Sequence, residues 1–203
     1  VCHTGVTKID SDENLRAISN PNKEGDVTRD LLVQPPYGTM SAMMVQRRLA
    51  EKVDGFDEQL TLFEDNDFNI RVSLYTTFCT VEDPLVKKHI NESKHVSNNL
   101  KKMKVDASYL IEKHQQMAER MGNSVDSKMF VRIEHSIGRS AADQGHYLEA
   151  QKSFVKILTK NPTYFPGYLW LLLVIGGPLT FRTAQINKRL VVRSIALAKQ
   201  ATI

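Results

Sequence analysis

The chain has 203 residues, of which 41% are hydrophobic and 25% are charged, and its net charge is +4. This composition is that of a folded globular protein and excludes an intrinsically disordered chain, which would have fewer apolar residues and a larger net charge. The small positive charge suits anionic partners such as nucleotide diphosphates or acidic lipid surfaces. Nucleic-acid binding is not indicated, because the basic residues are scattered and aromatic residues are not interleaved with them.

The cysteine content and the first residues suggest a location. Cys2 and Cys79 have no metal-site spacing and form no disulfide framework, so we expect a reducing compartment. The chain begins at Val1 without a signal peptide. We therefore expect a cytoplasmic piece of a larger protein, either free or peripheral at the inner face of the membrane.

Residues 1–9 predict a β-strand, because Val6 and Ile9 bracket polar positions, and the polar residues that follow predict a turn. Asp10 and Asp12 form an Asp-x-Asp pair, whose oxygen ligands suit Mg²⁺ or Mn²⁺. A polar turn without a metal ion explains the same residues, so both interpretations stay open. Residues 15–26 are polar, and their Asn-Pro-Asn and Glu-Gly-Asp signals predict a loop.

The next part of the chain predicts a short helix and a buried strand. Val27, Leu31 and Leu32 are spaced as one side of a helix that Asp26 would cap. The Pro-Pro-Tyr-Gly sequence at residues 35–38 ends that helix. Residues 40–45, MSAMMV, form a short apolar run that is typical of a core strand.

Residues 53–74 carry an unusual density of acidic side chains. From residue 65 onward the spacing is helical, with Phe68, Val72 and Tyr75 on one side. Acidic residues just ahead of such a run are placed as an N-cap and first turn, where the backbone N–H groups and the helix dipole stabilise a carboxylate. A well-capped helix is therefore the plain interpretation of this segment.

Three motifs occur in order around this segment: VQRR at residues 45–48, VDGFDE at residues 53–58 and EDNDFNIR at residues 64–71. Taken together they resemble the acceptor half of family 2 glycosyltransferases of the GT-A fold. In that family a basic pair precedes a Gly-Gly-Phe-Asp-Glu turn, and Glu-Asp-x-Asp-Leu-x-x-Arg begins a helix. Here Asp54 replaces the first glycine and Phe68 replaces the leucine.

The resemblance implies an inverting glycosyltransferase and a role for each matching residue. Asp65 would be the catalytic base that removes the proton from the acceptor hydroxyl as it attacks the anomeric carbon. Glu64 would orient the acceptor, whereas Arg71 would pair with an acid rather than touch substrate. The other implied acceptor-binding residues are Phe56, Asp57, Glu58, Ser41 and Met43.

The resemblance also implies the ligands. They are a nucleotide-sugar donor, a divalent metal (Mg²⁺ or Mn²⁺), and a hydroxyl acceptor such as a glycan or a lipid-linked sugar. Residues 1–12 are similar to the strand and turn that follow the family's metal-binding Asp-x-Asp. The donor and the metal would then be held mainly by residues outside this chain, and we expect the 203 residues alone to be inactive.

Two further strands and a basic loop are predicted next. Residues 76–81 are β-branched, Asp83 and Pro84 predict a turn, and residues 85–90 alternate as a strand would. The loop after them resembles the family's closing His-x-Ser segment. The resemblance therefore places His95 and Ser97 near the donor diphosphate or its metal, with His89 as the alternative histidine. A solvated loop accounts for the same residues.

From residue 101 the sequence predicts helices. We expect an α/β chain, with a partial GT-A domain at residues 1–123 and an all-α tail at residues 124–203. Residues 133–162 resemble one tetratricopeptide-type helical hairpin, in which Gly138 and Ala150 let two helices approach and Tyr147 and Phe154 fill the gap. A single unit makes no concave peptide-binding surface, so we expect it to serve packing.

The end of the chain is apolar and then basic. Residues 164–181 are interrupted by Pro166 and by glycines 176 and 177, which is too soon for a membrane span of roughly 20 apolar residues. They predict a buried helix, with a monotopic membrane contact as the alternative. Residues 179–199 predict a basic amphipathic helix, which either lies on anionic lipid or packs on the preceding helix.

Two other functions remain as alternatives to the glycosyltransferase. One is a non-enzymatic module whose helical tail binds a partner or a membrane. The other is a metal-dependent hydrolase that uses Asp10, Asp12, Asp65 and Asp67, although no histidine stands at ligand spacing beside them.

Overall fold

A computed structural model describes residues 1–10, 12–34, 39–89 and 99–181. The chain is a mixed α and β protein that divides into two units, residues 1–132 and the chain from residue 133 onward. The predictions on His95, on Ser97 and on the basic helix beyond residue 181 lie outside the described residues.

Strands and short helices alternate in the first hundred residues, and long helices follow. The elements are β1 (Cys2–Ile9), β2 (Leu15–Ser19), α1 (Thr28–Val33), a 3₁₀ turn (Met40–Ala42), β3 (Met43–Met44), α2 (Arg47–Lys52), α3 (Glu64–Ser73), β4 (Cys79–His89), α4 (Leu100–Arg120), α5 (Asn123–Asp143), α6 (Tyr147–Lys160) and α7 (Phe165–Ile175).

Strand β1 is the centre of a small mixed sheet. It runs parallel to β4 along its whole length. Its N-terminal end pairs with β3 in antiparallel fashion, His3 opposite Met43, and its C-terminal half pairs with β2, also antiparallel. Val6 and Ile9 are buried, as the strand prediction required.

The structure corrects the predicted loop at residues 15–26 and the predicted strand at residues 40–45. Residues 15–19 form β2 although their side chains are mostly exposed, because the open edge of β1 supplies the backbone partners. The MSAMMV run instead makes a 3₁₀ turn and the two-residue strand β3. Met44 is 78% exposed, so this run is only partly a core element.

The predicted turn at Asp83 and Pro84 is also wrong, since β4 runs through it as one strand. The register against β1 shifts between Thr4 and Val6, which absorbs the irregular backbone at Pro84. A Cβ on Gly5 would lie 3.0 Å from Pro84 Cα, so glycine permits this close approach. Among the described strands β4 pairs with β1 alone, and proline is tolerated in such an edge strand.

The cysteines are the clearest correction. Cys2 and Cys79 stand opposite each other on β1 and β4 and form a disulfide, with their Cα atoms 4.6 Å apart. They are 77 residues apart in sequence, so only the parallel pairing of the strands brings them together. The cysteine argument for a reducing compartment therefore no longer holds.

The helices of the first unit bury the residues that their spacing predicted. Helix α1 buries Leu31 and Leu32, and Asp26 accepts a hydrogen bond from the backbone N–H of Thr28. Helix α3 buries Phe68 and Val72. Tyr75, predicted on the same side, lies beyond the helix end and is 51% exposed.

In the second unit the predicted helical hairpin is confirmed. Helices α5 and α6 are joined by a short turn in which Gly145 has φ +80°, a conformation that favours glycine. A Cβ on Gly138 would lie 3.0 Å from the ring of Phe154, which is fully buried together with Ala150. The small residue thus allows the close helix contact that the tetratricopeptide-like pattern predicts.

Helix α7 differs from the buried helix that we predicted. Its Val174 and Gly167 are buried, but Phe165 and Leu172 are 68% and 66% exposed. Within the described residues, no helix is both long enough and apolar enough to cross a bilayer.

Candidate functional site

The candidate site is built at the start of helix α3. The N-cap position is Phe63, not an acidic residue as we predicted, and its φ is +67°. A bulky residue in this left-handed region costs roughly 1–2 kcal/mol. Asp106 of α4 holds the preceding backbone in place, because its Oδ2 accepts the N–H groups of Thr61 at 2.9 Å and Leu62 at 2.8 Å.

Glu64 and Asp65 follow in the first turn of α3, and both side chains are half-buried. Asp65 Oδ1 accepts hydrogen bonds from the backbone N–H of Asn66 at 2.7 Å and from its side-chain amide at 2.9 Å. Asp65 Oδ2 has no hydrogen-bond partner among the residues that the structure describes. One carboxylate oxygen is therefore left to accept a proton from a ligand.

The environment of Glu64 disfavours its charged form. Burial raises the pKa of Glu64, a hydrogen bond from its own backbone N–H partly opposes this, and the neighbouring carboxylates of Asp65 and Asp106 raise the pKa further. Closely spaced carboxylates with a raised pKa are common where acid–base chemistry is carried out.

Arg132 of α5 provides positive charge beside this carboxylate pair. Its Nη1 donates to Asn66 Oδ1 at 3.2 Å. Burial lowers the pKa of Arg132 to about 10, although the charge of Asp65 opposes this change. The guanidinium is therefore still protonated at neutral pH. Sequence reasoning missed Arg132, since nothing local relates it to a motif 66 residues earlier.

Asp67, the third acid of the motif, is held in the protein interior by three side chains. It is fully buried and accepts a hydrogen bond from Arg71 Nε at 2.7 Å. It also forms an ion pair with Lys113 Nζ at 2.9 Å and a hydrogen bond with His114 Nε2 at 2.8 Å. Burial alone would raise the pKa of Asp67, but these hydrogen bonds and charges outweigh it and hold the pKa well below its usual range. Asp67 is therefore an ionised anchor between α3 and α4.

Arg71 pairs with this acid, as predicted, and also fixes the turn before α3. Its Nη1 donates to the carbonyl oxygen of Val53, and its Nη2 donates to that of Gly55 at 2.8 Å. Asp54 and Gly55 in that turn have φ of +61° and +65°. Two successive left-handed positions are where a Gly-Gly pair would fit without strain.

Asp57 is one of the residues that line a cavity of about 320 Å³. Its Oδ2 accepts hydrogen bonds from Tyr109 Oη at 2.9 Å and Lys113 Nζ at 2.5 Å. These bonds, the one from Lys113 foremost, lower the pKa of Asp57. The cavity lining is Val53, Asp54, Asp57, Arg71 and Lys113. Asp65 is absent from that lining, so the cavity and the Glu64–Asp65 pair are different places along α3.

The remaining predicted residues are distributed around α3 and the sheet. Phe56 is 50% exposed and its ring lies 4.6 Å from that of Phe68, while Glu58 is exposed. Ser41 is exposed in the 3₁₀ turn, which is tied to α3 by a hydrogen bond from Asn69 to the sulfur of Met40 at 3.6 Å.

The structure separates Met43 from His89. Met43 pairs with His3 near the start of β1, and the exposed His89 pairs with Ile9 at its end. Six residues of extended strand span about 20 Å. The alternative histidine therefore does not join the predicted acceptor residue Met43.

The structure supports the turn interpretation of Asp10. Its Oδ1 accepts the backbone N–H groups of Asp12 and Asn14, both at 2.9 Å, and its Oδ2 lies 2.5 Å from Arg16. No group of three or more potential ligands that could hold a metal ion occurs in the described part of the chain. Asp67, a further member of the proposed hydrolase set, is surrounded by cationic donors and histidine instead.

Comparison with known proteins found no matching family model, curated protein or solved structure.

Proposed function

We propose that this chain is the acceptor side of an inverting glycosyltransferase in which Asp65 is the general base. The observation that carries the proposal is the division among three acids of one helix start. Asp67 is hydrogen-bonded or ion-paired to Arg71, Lys113 and His114, whereas Asp65 keeps an oxygen without a partner among the described residues. The motif order at residues 45–71 supports the same assignment.

In the proposed reaction the acceptor hydroxyl oxygen forms a bond to the anomeric carbon of the donor sugar. The bond from that carbon to the nucleotide diphosphate breaks, and the diphosphate leaves with the electron pair. The proton of the hydroxyl moves to Asp65 Oδ2. Attack on the side opposite the leaving group inverts the configuration.

The neighbours of Asp65 suit this step. Burial raises the pKa of Glu64, and Glu64 would hydrogen-bond the acceptor next to the reacting hydroxyl. Arg132 brings a positive charge near Asp65, and the charge of Asp65 in turn opposes the lowering of the Arg132 pKa by burial. The left-handed Phe63 and its anchor Asp106 fix the backbone, and such preorganisation is needed because a base acts only within hydrogen-bond reach.

The divalent metal implied by the resemblance would neutralise the leaving diphosphate when bound. The described residues offer it no cluster of three ligands. In this proposal the donor and the metal are bound by residues other than those of the Glu64–Asp65 site.

The test measures sugar transfer by the full-length protein that carries this chain. UDP-glucose, UDP-N-acetylglucosamine and GDP-mannose serve as donors with alkyl glycosides as acceptors, and nucleotide release is followed with Mn²⁺ present. Asp65→Asn should lower kcat by about 10²–10⁴-fold, the usual share of a general base, and leave the donor KM unchanged.

Asp12→Asn is the matched control, because it removes an exposed carboxylate of the alternative hydrolase set. It should retain wild-type transfer. Turnover by Asp65→Asn within threefold of wild type would remove Asp65 from the role, and loss of activity in Asp12→Asn alone would favour the metal-dependent alternative.

A further inference from the structure

Helix α7 presents a continuous apolar surface. Phe165, Tyr168, Leu169, Leu172 and Ile175 are between 44% and 68% exposed. At 3.6 residues per turn these five positions fall within an arc of about 120° around the helix axis. We call this set the α7 arc. Scattered exposed leucines are ordinary in proteins, but a contiguous apolar stripe marks an interaction surface.

The opposite side of α7 is already packed within the second unit. Val174 is fully buried, and the Trp170 ring stacks on Phe154 with centroids 5.6 Å apart. Gly167 lies against Leu158, where a Cβ would be 3.0 Å from the nearest side-chain atom. The helix is therefore anchored, and its arc is the side left for a partner.

The charge pattern of the surrounding sequence indicates the partner. Residues 161–181 contain no Asp, Glu, Lys or Arg. Residues 182–203 contain five basic residues and no acidic one. The basic residues are Arg182, Lys188, Arg189, Arg193 and Lys199. An uncharged apolar surface joined to a purely basic segment is complementary to an anionic bilayer, whose headgroups attract the cations and whose acyl boundary takes the apolar side chains.

We propose that the α7 arc docks this protein on an anionic phospholipid bilayer, with α7 lying in the plane of the interface. The helix has 11 residues, so it is about 16 Å long and too short to span the hydrocarbon core of about 30 Å. A second copy of the chain fits less well, because a symmetric contact through α7 would bring two segments of charge +5 together.

The test is co-sedimentation of the full chain with vesicles. Vesicles of phosphatidylcholine with roughly 30% phosphatidylserine should bind the wild type, and vesicles of phosphatidylcholine alone should bind it at least tenfold more weakly. Binding to the anionic vesicles should fall as NaCl is raised, because the electrostatic part is screened.

Leu172→Glu should lower the partition coefficient on anionic vesicles by at least tenfold, because it removes an inserting side chain and adds a charge. The matched control is Leu148→Glu on α6, a leucine that is 72% exposed and outside the arc, and it should bind within twofold of wild type. Both side chains are exposed, so thermal unfolding followed by circular dichroism should have the same midpoint in both variants as in wild type. Phe165→Ser is a second arc variant with the same expected loss.

Three results would overturn the proposal. The first is absence of wild-type binding to anionic vesicles. The second is equal binding by Leu172→Glu, Phe165→Ser and wild type. The third is a wild-type dimer in sedimentation equilibrium that Leu172→Glu dissociates while vesicle binding is absent, which would assign the α7 arc to a second copy. None of these results depends on whether the protein transfers sugar.

Discussion

Asp65 and Asp67 lie two residues apart on helix α3 and have opposite environments. The side chain of Asp67 points into the first unit, where α4 presents Lys113 and His114 and its own helix presents Arg71. Asp65 is half-buried and meets Asn66. The same residue type is thus a structural anchor in one position and a candidate base in the other.

Asp67→Asn should lower the free energy of unfolding by about 3–5 kcal/mol, because the amide leaves Arg71 without its buried counter-ion and leaves Lys113 with Asp57 as its remaining carboxylate partner. Asp65→Asn should change it by less than about 0.5 kcal/mol, since Oδ1 can still accept the bonds from Asn66. Urea unfolding at pH 7 measures both. Equal costs for the two variants would contradict the different roles.

The stability difference between wild type and Asp67→Asn should depend on pH. The pKa of Asp67 is lower in the folded state than in the unfolded chain, where it is about 3.9. The stabilisation is therefore fully present above about pH 5 and is lost as the pH falls through 4 toward the folded-state pKa. The difference in stability between wild type and Asp67→Asn should shrink over that acid range. A constant difference from pH 7 to pH 2 would refute the assignment.

At the scale of elements, contacts between helices and strands depend on single small residues. Gly5 allows β1 to approach Pro84 of β4, and Gly138 allows α5 to approach Phe154 of α6. The ring of Phe154 is itself enclosed, because His135 lies edge-on at 5.7 Å and Trp170 stacks at 5.6 Å. It therefore has little room to move away from an added methyl group.

Gly138→Ala should lower the free energy of unfolding by about 1–3 kcal/mol, the usual cost of overpacking, despite the better helix propensity of alanine. Thermal unfolding measures the change. In the background of Phe154→Leu the same substitution should cost much less, because the shorter side chain vacates the space. A stabilised Gly138→Ala protein would show that the ring can shift.

At the scale of the whole molecule, the two units have different means of stabilisation. The first unit carries the disulfide between β1 and β4 and the Asp67 network. The second unit packs around Phe154 and Trp170, the single tryptophan of the chain. Their boundary falls after residue 132, inside helix α5 and not at its start.

Cys2→Ala together with Cys79→Ala should destabilise the first unit by about 2–4 kcal/mol, because the disulfide closes a loop of 77 residues in the unfolded chain. Amide hydrogen exchange should accelerate in β1 and β4, while protection of α6 in the second unit stays unchanged. Dithiothreitol should reproduce the effect in wild type. Equal loss of protection in β1 and α6 would show that the units unfold together.

Local patterns in the chain were enough to predict α1, α3, α4 and the hairpin of α5 and α6, because helical periodicity and small-residue spacing are encoded within a few turns. Strand β2 was missed, because an exposed polar segment becomes a strand only when another strand offers an edge. Both halves of β4 were predicted as strands, but their continuity across Asp83 and Pro84 was not, because it depends on pairing with β1.

Contacts between residues that are far apart in sequence determine the environment of the acidic segment and the disulfide. The partners of the acidic segment are Asp106, Lys113, His114 and Arg132, which follow it by dozens of residues and meet it only once α4 and α5 have packed. The disulfide depends in the same way on the register of two parallel strands. The sequence places the carboxylates side by side, but burial and the charges of distant residues decide which of them is a structural anchor and which keeps an oxygen without a partner among the described residues.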